Sequence, residues 1–408
     1  MGAFEVLAAT IGADRVRLAD HSDAFGSATP EAVVEPRSAA EVAQVLERAS
    51  TDGIALVVRG GGTKIGWGPP PTRCDAILST ASLTRLVEHE PGDMTCVVEA
   101  GKLVADLQRE IGAVATHRQR LMLDSPGGDA ATIGGTIATG AAGARRVRYG
   151  TPRDLVIGAR YVTGDGLVAH TGGKVVKNVA GYDVAKLLIG SFGTLAVVTE
   201  LALKLHPIPD VTRTLVLYTN DASEVAQFCN AVRTAPVTPA MVEVAWPEGL
   251  VLVRIESTAN GADAQVERLR GLGAIDVLNA ADGDALAARV ATLAWEGDAP
   301  VIAVASMPSR LADLLRVIAA GGGVLSARAT ITSGEVRLLD ADPARAQSLI
   351  SALRELGANI AVRRGDLNLH ALALPTFDPG LRFVSEALKQ NLDPSSILAP
   401  GRALGAAR

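Results

Sequence analysis

Glycine is spread unevenly along this chain: 17 of its 42 glycines fall within residues 101–200 and only 6 within residues 201–300. Glycine weakens the helices and strands it interrupts, so such crowding marks backbone that takes unusual dihedrals or approaches another group closely. Two clusters account for much of it. Arg59-Gly60-Gly61-Gly62-Thr63-Lys64 comes first, and the second runs from Ser125-Pro126-Gly127-Gly128 through Ile133-Gly134-Gly135, Thr139 and Gly140 to Gly143. The asymmetry divides the 408 residues into a ligand-cradling portion ending near Pro209 and an ordinary alternation of helices and strands beyond it. The length itself corresponds to roughly two to three domains.

The first cluster follows a clear local pattern. Ser38 with Glu41 fits a capping box, and Val42, Val45, Leu46 and Ala49 fall on one face of the helix it would start. Asp52-Gly53 ends that helix, and Ile54–Val58 reads as a short buried strand running straight into the glycines. Consecutive glycines after a strand let several backbone N–H groups converge on an anion, and Arg59 and Lys64 add positive charge. A diphosphate is a natural occupant. The Walker spacing G-x-x-x-x-G-K-[ST] does not occur. Gly164-Asp165-Gly166-Leu167-Val168-Ala169 matches G-x-G-x-x-A, but no helix can follow it, and a hairpin turn is the better reading. In the second cluster nearly every side chain is small, which lets backbone lie against a flat, extended ligand. A tight helix-packing seam would account for Gly134 to Gly143 alone, but not for Pro126-Gly127-Gly128 or the earlier triple glycine. Two such loops in one domain favour a dinucleotide cofactor.

Composition narrows the function classes. Hydrophobic residues at 48% with charged residues at 20% exclude a disordered chain. Aromatics at 3% and a net charge of −5 argue against a nucleic-acid partner. The 3 cysteines, Cys74, Cys96 and Cys229, are far apart, and the 6 histidines form no H-x-x-x-H pair, so no metal site is expected. No apolar run reaches the roughly 18 residues of a spanning helix. The N-terminus lacks a basic leader pattern. The expectation is a cytoplasmic protein without direct membrane insertion.

The run Gly172-Gly173-Lys174-Val175-Val176-Lys177-Asn178-Val179-Ala180-Gly181-Tyr182-Asp183, followed by Leu187-Leu188-Ile189-Gly190-Ser191-Phe192-Gly193-Thr194-Leu195, resembles the FAD-binding domain of the vanillyl-alcohol-oxidase (PCMH-type) superfamily. Within it, the run is most similar to the E chains of bacterial glycolate oxidases. The resemblance covers about residues 33–206, and again Leu392-Asp393-Pro394 through Pro400-Gly401-Arg402. It implies an α+β fold: a PCMH-type FAD-binding domain of two subdomains, plus an α/β cap domain with an antiparallel sheet. The boundaries it implies are an N-terminal segment 1–32, the FAD domain 33–209, the cap 210–385 and a C-terminal segment 386–408 returning to the FAD domain.

The same resemblance implies that Arg59, Gly60, Gly61, Gly62, Thr63 and Lys64 hold the FAD pyrophosphate side. Ser125, Pro126, Ile133, Gly134, Gly135, Thr139 and Gly143 would line the flavin and ribityl side, and Val197 would offer backbone groups to the ring. Lys64 follows Gly62-Thr63 with no histidine nearby, so FAD is expected to be non-covalent. The family's Gly-Thr-Leu-Gly is Gly193-Thr194-Leu195-Ala196 here, and its Asn-Pro-Gly ending is Ala399-Pro400-Gly401. Implied partners are a second FAD-containing catalytic subunit, an iron–sulfur subunit and a small 2-hydroxy acid. Any membrane association would run through those partner subunits.

Beyond Asp210, helices are expected over Ser223–Thr234, Gly261–Leu272, Pro308–Ala320 and Ala344–Leu356. Strands are expected over Met241–Ala245, Leu250–Glu256, Val324–Ile331, Glu335–Leu339 and Asn359–Arg363, giving an antiparallel sheet with helices on one face. Oxidising a hydroxy acid requires a cation for its carboxylate and a base for its hydroxyl proton. Related catalytic chains carry H-x-G-D-G-N-x-H on a cap strand; here the segment is Arg363-Arg364-Gly365-Asp366-Leu367-Asn368-Leu369-His370. One reading makes His370 the base, with Arg363 or Arg364 the carboxylate clamp. The other is an alternating strand with Leu367, Leu369, Ala371 and Ala373 facing inward and His370 on the polar side. Arg145-Arg146-Val147-Arg148-Tyr149-Gly150 would touch a phosphate or carboxylate, or form a solvated loop. Lys174, Lys177, Asn178, Tyr182 and Asp183 would hold loop geometry rather than perform chemistry.

Overall fold

Ser38 starts a helix as its sequence implies: its hydroxyl accepts the Glu41 N–H at 3.2 Å. The Glu41 carboxylate takes the Arg37 N–H at 2.8 Å and pairs with Arg15. The helix buries Val42, Val45, Leu46 and Ala49 and ends at Gly53 in the left-handed region, φ +66°. The computed structural model describes residues 1–26, 28–114, 118–124, 126–173, 182–328, 333–339, 342–373 and 378–402. The chain divides into two units. One comprises Met1–Ala142, Thr151–Ile208 and Thr376–Arg408, and the other Gly143–Gly150 with Pro209–Pro375.

The first unit begins α1 (Ala3–Ile11), β1 (Val16–Leu18), β2 (Ala32–Val34), α2 (Ala39–Asp52), β3 (Leu56–Arg59) and β4 (Ala76–Ser79). These strands form a sheet in the order β1-β2-β4-β3, with β4 parallel to both β2 and β3. Helices α1 and α2 bury Leu7, Val45 and Leu46 against Leu56 and Leu78. There follow β5 (Leu86–Glu90), β6 (Thr95–Glu99), α3 (Val104–Gly112), β7 (Gln119–Arg120) and α4 (Ile133–Ala138). The chain then passes through α5 (Arg146–Tyr149) of the other unit and resumes with α6 (Pro152–Leu155), β8 (Val156–Thr163) and β9 (Val168–Gly172). Strands β8 and β9 form the antiparallel hairpin expected at Gly164–Gly166. After α7 (Ala185–Leu188), β10 (Ala196–Lys204) enters a five-stranded antiparallel sheet, β5-β6-β10-β8-β9, and β11 (His206–Pro207) pairs with β7.

The second unit runs β12 (Val211–Tyr218), α8 (Ala222–Thr234), β13 (Met241–Trp246), β14 (Leu250–Ser257), α9 (Ala259–Arg270), β15 (Asp276–Leu278), α10 (Ala280–Thr292) and β16 (Val301–Ala305). It closes with α11 (Leu311–Ala320), β17 (Gly323–Arg328), β18 (Ser333–Leu338), α12 (Pro343–Glu355), β19 (Asn359–Arg364) and α13 (Leu367–Ala373). Helix α14 (Pro379–Leu392) belongs to the first unit. The eight strands form one sheet, β15-β12-β14-β13-β17-β18-β16-β19. Every pairing in it is antiparallel.

Two expectations for this unit are corrected. Helices do not keep to one face. Leu215, Leu217, Val251 and Val253 pack with α8, α9, α11 and α12, whereas Val216, Ala245 and Leu250 point the other way, onto Val290 and Leu286 of α10. Residues 367–373, read as a strand from their alternation, form α13. Asp366 decides it: its carboxylate accepts the Leu369 N–H at 2.8 Å, and its carbonyl accepts the His370 N–H at 3.1 Å, the geometry of a helix N-cap. Leu369 and Ala373, four apart, then share one helix face and are both buried.

Candidate cofactor site

Strand β3 delivers the first glycine cluster to the edge of its sheet, and the cluster meets the second one directly. A Cβ on Gly61 would stand 1.7 Å from the Ala130 carbonyl oxygen, and one on Gly60 would stand 2.1 Å from Thr132 Oγ1. Only glycine fits at such an approach. Gly127 faces Thr63 and Lys64 in the same way. Two loops about seventy residues apart in sequence are thus one structure.

The backbone N–H groups of Gly60, Gly61, Gly62, Thr63 and Lys64 donate to no described residue; the loop's own turn uses the Gly62 carbonyl, which accepts from Ile65 at 3.1 Å. Five consecutive free donors are what an anion requires. Beside them Lys64 is 5% exposed. Its ammonium donates to Thr63 Oγ1 at 3.2 Å and lies 5.9 Å from the Trp67 ring centroid, with no carboxylate paired to it among the described residues. Burial pulls its pKa down to about 8. Arg59 is held differently. Its guanidinium meets Asp23 at 2.8 Å, and the same buried carboxylate takes Arg17 at 2.7 and 2.9 Å and the Asp20 N–H at 2.9 Å. Chiefly through the Arg17 contact, the Asp23 carboxyl is held well below the usual carboxylate range.

The two loops wall a solvent-open cleft. Thr132 caps α4 by accepting the Gly135 N–H at 3.2 Å, while Gly134 packs on Ala100, whose carbonyl accepts its N–H at 2.7 Å. Gly134 is therefore a packing glycine as well as a lining one. Of the residues singled out from sequence, Arg59, Gly60, Gly61, Gly62, Thr63, Lys64, Gly134, Gly135 and Thr139 line this cleft together. Others do not. The Ile133 side chain is fully buried in hydrophobic core; so is that of Val197, whose expected contribution is its backbone, and its neighbours Ala196 and Val198 both line the cleft. Strand alternation is the reason: one residue's shift turns a side chain to the opposite face. Pro126 is not on the wall, Gly143 belongs to the second unit, and Ser125 lies outside the described residues. Lys174, Lys177 and Asn178 also lie outside them.

Residues not assigned to the cofactor from sequence complete the wall, among them Val58, Thr80, Thr132, Phe192 and Arg402. Phe192 has φ +57° and its N–H donates to the Ala138 carbonyl at 2.7 Å. Arg402 is 4% exposed. It donates to the carbonyls of Ile65 and Trp67, just past the first cluster, and its buried Nε has no partner among the described residues. Burial lowers its pKa to about 10. The signal was available in Pro400-Gly401-Arg402, where a glycine flanks a cation. Asp393, from the same C-terminal stretch, is structural: fully buried, it accepts the N–H groups of Ile397 and Leu398 and the Lys389 ammonium.

Arg363, on β19, and His370, on α13, both belong to the second unit. Both are partly exposed. Cys74, Cys96 and Cys229 are buried free thiols, pushed up to about 12 by desolvation. Among the described residues no group of three or more His, Cys, Asp or Glu is placed to hold a metal ion, and no helix is long and apolar enough to cross a membrane.

A cleft of unpartnered amides, a buried lysine and small residues matches a dinucleotide-binding domain, and the comparisons agree. Residues 30–172 match the family described as FAD binding domain. The chain is 34% identical over 214 residues to glycolate oxidase subunit GlcD of Bacillus subtilis, covering 52% of this chain and 45% of that protein. It is 38% identical over 176 residues to a D-lactate dehydrogenase of Archaeoglobus fulgidus, covering 43% and 38%. Over 171 residues it is 34% identical to glycolate oxidase subunit GlcE of Escherichia coli, covering 42% and 47%. The matched regions span less than half of each relative. Among solved structures, p-cresol methylhydroxylase with substrate bound shares the fold, with a TM-score of 0.78 at 17% identity over 98% of this chain and 96% of that one. Residues 30–172 are an FAD-binding domain, and the chain shares the α+β fold of p-cresol methylhydroxylase. This chain's cofactor is FAD, and its relatives are oxidoreductases.

Proposed function

We propose that this chain is an FAD-dependent oxidoreductase of D-2-hydroxy acids and serves as the E-type FAD subunit of a glycolate oxidase complex. The observation that carries the FAD site is the buried Lys64 ammonium beside five free backbone donors. Those groups would hold the diphosphate, with Arg59 fixed alongside by Asp23. Gly134, Gly135 and Thr139 would flank the flavin and ribityl side, and Arg402 would direct its unpartnered Nε at the cofactor. With no histidine in the first loop, FAD is held non-covalently. When bound, FAD supplies a two-electron acceptor.

Relatives named as glycolate oxidase subunits and a D-lactate dehydrogenase support a small 2-hydroxy acid as substrate. Oxidising one requires a cation on its carboxylate and a base for its hydroxyl proton. Arg363 and His370 are this chain's candidates for those roles. The segment carrying them departs from H-x-G-D-G-N-x-H at its leading histidine and middle glycine, which favours division of labour: a second FAD subunit holds the substrate, and an iron–sulfur subunit takes electrons onward. On this reading the first unit would serve as the FAD domain and the second as the cap.

The test is an anaerobic absorbance spectrum of the FAD-loaded chain before and after glycolate or D-lactate. The subunit reading expects the flavin to stay oxidised until the partner subunits are added. Bleaching of the isolated chain that is lost in His370→Ala would instead make it a self-sufficient dehydrogenase with His370 as base.

A further inference from the structure

Glu256, on β14, is 2% exposed, unusual for a carboxylate in a sheet. Arg145 Nη2 meets its Oε1 at 2.9 Å and the Tyr149 hydroxyl donates to Oε2 at 3.0 Å. Arg148 donates to the Glu256 backbone carbonyl. Burial, reinforced by the neighbouring carboxylate, pushes the Tyr149 phenol up to about 12, so it remains a donor throughout the working pH range. From its sequence, this arginine cluster is expected to meet a phosphate, a carboxylate or solvent. The carboxylate turns out to be the chain's own.

Arg145, Arg148 and Tyr149 lie in Gly143–Gly150, the eight-residue stretch of the second unit that interrupts the first in sequence. Its near end continues from α4 and Thr139 of the cleft wall, closed by Ala141 donating to the Thr136 carbonyl at 3.1 Å. Its far end is fixed by the Thr151 cap of α6, where the Asp154 carboxylate accepts the Thr151 N–H at 2.7 Å. A short segment anchored at its midpoint on a buried ion pair has little freedom, and that restriction passes along the backbone to the residues before it. We propose that Glu256 is a positioning residue for the cofactor cleft: by holding Arg145 and Tyr149 it fixes the segment leaving the α4 wall. This rests on the cleft being the FAD site.

The experiment measures FAD release from the loaded full-length chain, followed by the rise in flavin fluorescence on dilution, beside the thermal midpoint. Glu256→Gln and Tyr149→Phe are the variants. Asp263→Asn, which breaks the exposed Arg213–Asp263 pair of the same unit at 2.9 Å, is the control. Glu256→Gln and Tyr149→Phe are expected to release FAD about fivefold faster or more, the lower end of ordinary coupling between sites. Asp263→Asn is expected to match the parent. Unchanged release in both cluster variants overturns the inference, as does equal acceleration in Asp263→Asn. Tyr149→Phe keeps the question open to measurement should Glu256→Gln fold poorly. A parent chain that takes up no FAD would instead overturn the cofactor site itself.

Discussion

The Arg402 guanidinium carbon lies 5.4 Å from the Phe192 ring centroid, joining residues more than two hundred positions apart across the cleft wall. The same side chain holds the carbonyls of Ile65 and Trp67, so it ties the turn after the first glycine cluster to the Phe192 turn. Arg402→Met should weaken FAD binding by about 10-fold or more, the worth of a charge-assisted hydrogen bond. Arg402→Lys should not restore it, because one ammonium cannot reproduce the planar fork. FAD titration monitored by fluorescence quenching checks both; full recovery in the lysine variant would contradict the assignment.

Lys64 makes FAD affinity pH-dependent. Its pKa falls from an ordinary 10.5 to about 8 in the folded chain, so an anion loses its cationic partner as pH rises through about 8. Between those values the unfolded chain binds the proton more often than the folded one. The Lys64 contribution to FAD-free stability therefore rises with pH across that window, and its burial cost is full below it. Affinity for FAD or inorganic pyrophosphate should drop between pH 7 and 9.5 in the parent. Lys64→Met should bind about 10-fold more weakly at pH 7 and lose this component of the pH dependence.

Asp23 has the same slope with pH, but at the acid end. Its depressed pKa means a stabilising contribution that is complete above the unfolded value of 3.8 and lost as pH falls through the lower folded value. Asp23→Asn should cost on the order of 2 kcal/mol at pH 7, measured by urea unfolding, with the deficit closing below about pH 4. A deficit that persists undiminished at pH 2 would rule out the charge as its origin.

Gly61→Ala forces a methyl group onto the Ala130 carbonyl. The two glycine loops must separate, which overpacking data put at roughly 1–3 kcal/mol. Thermal unfolding should show that loss, and FAD binding should weaken by about tenfold or more.

Local signals in the sequence carried the elements well. Ser38, the apolar stripe of α2 and Gly53 each act through neighbours within four residues, and the two glycine clusters are legible because few backbones need three consecutive glycines. Side-chain direction was less accessible: Ile133 faces core because helix register aims it there, and around Val197 it is the Ala196 and Val198 side chains that line the cleft. Asp23 meets Arg59 only through tertiary folding. The helix at 367–373 shows a cap overriding alternation: the Leu-Asn-Leu-His pattern has period two, but the Asp366 carboxylate satisfies the first helical turn. Glu256, meeting Arg145 across 111 positions, has no local signature at all.

The most direct test of the cofactor site is flavin content. The chain and its Gly61→Ala variant would be equilibrated with FAD, desalted, scanned for flavin absorbance and then precipitated with acid. The parent should carry one FAD per chain and release it all to the supernatant, while the variant carries markedly less. A parent without flavin, or a variant that retains it at the parental level, would contradict the assignment of the two glycine loops to FAD.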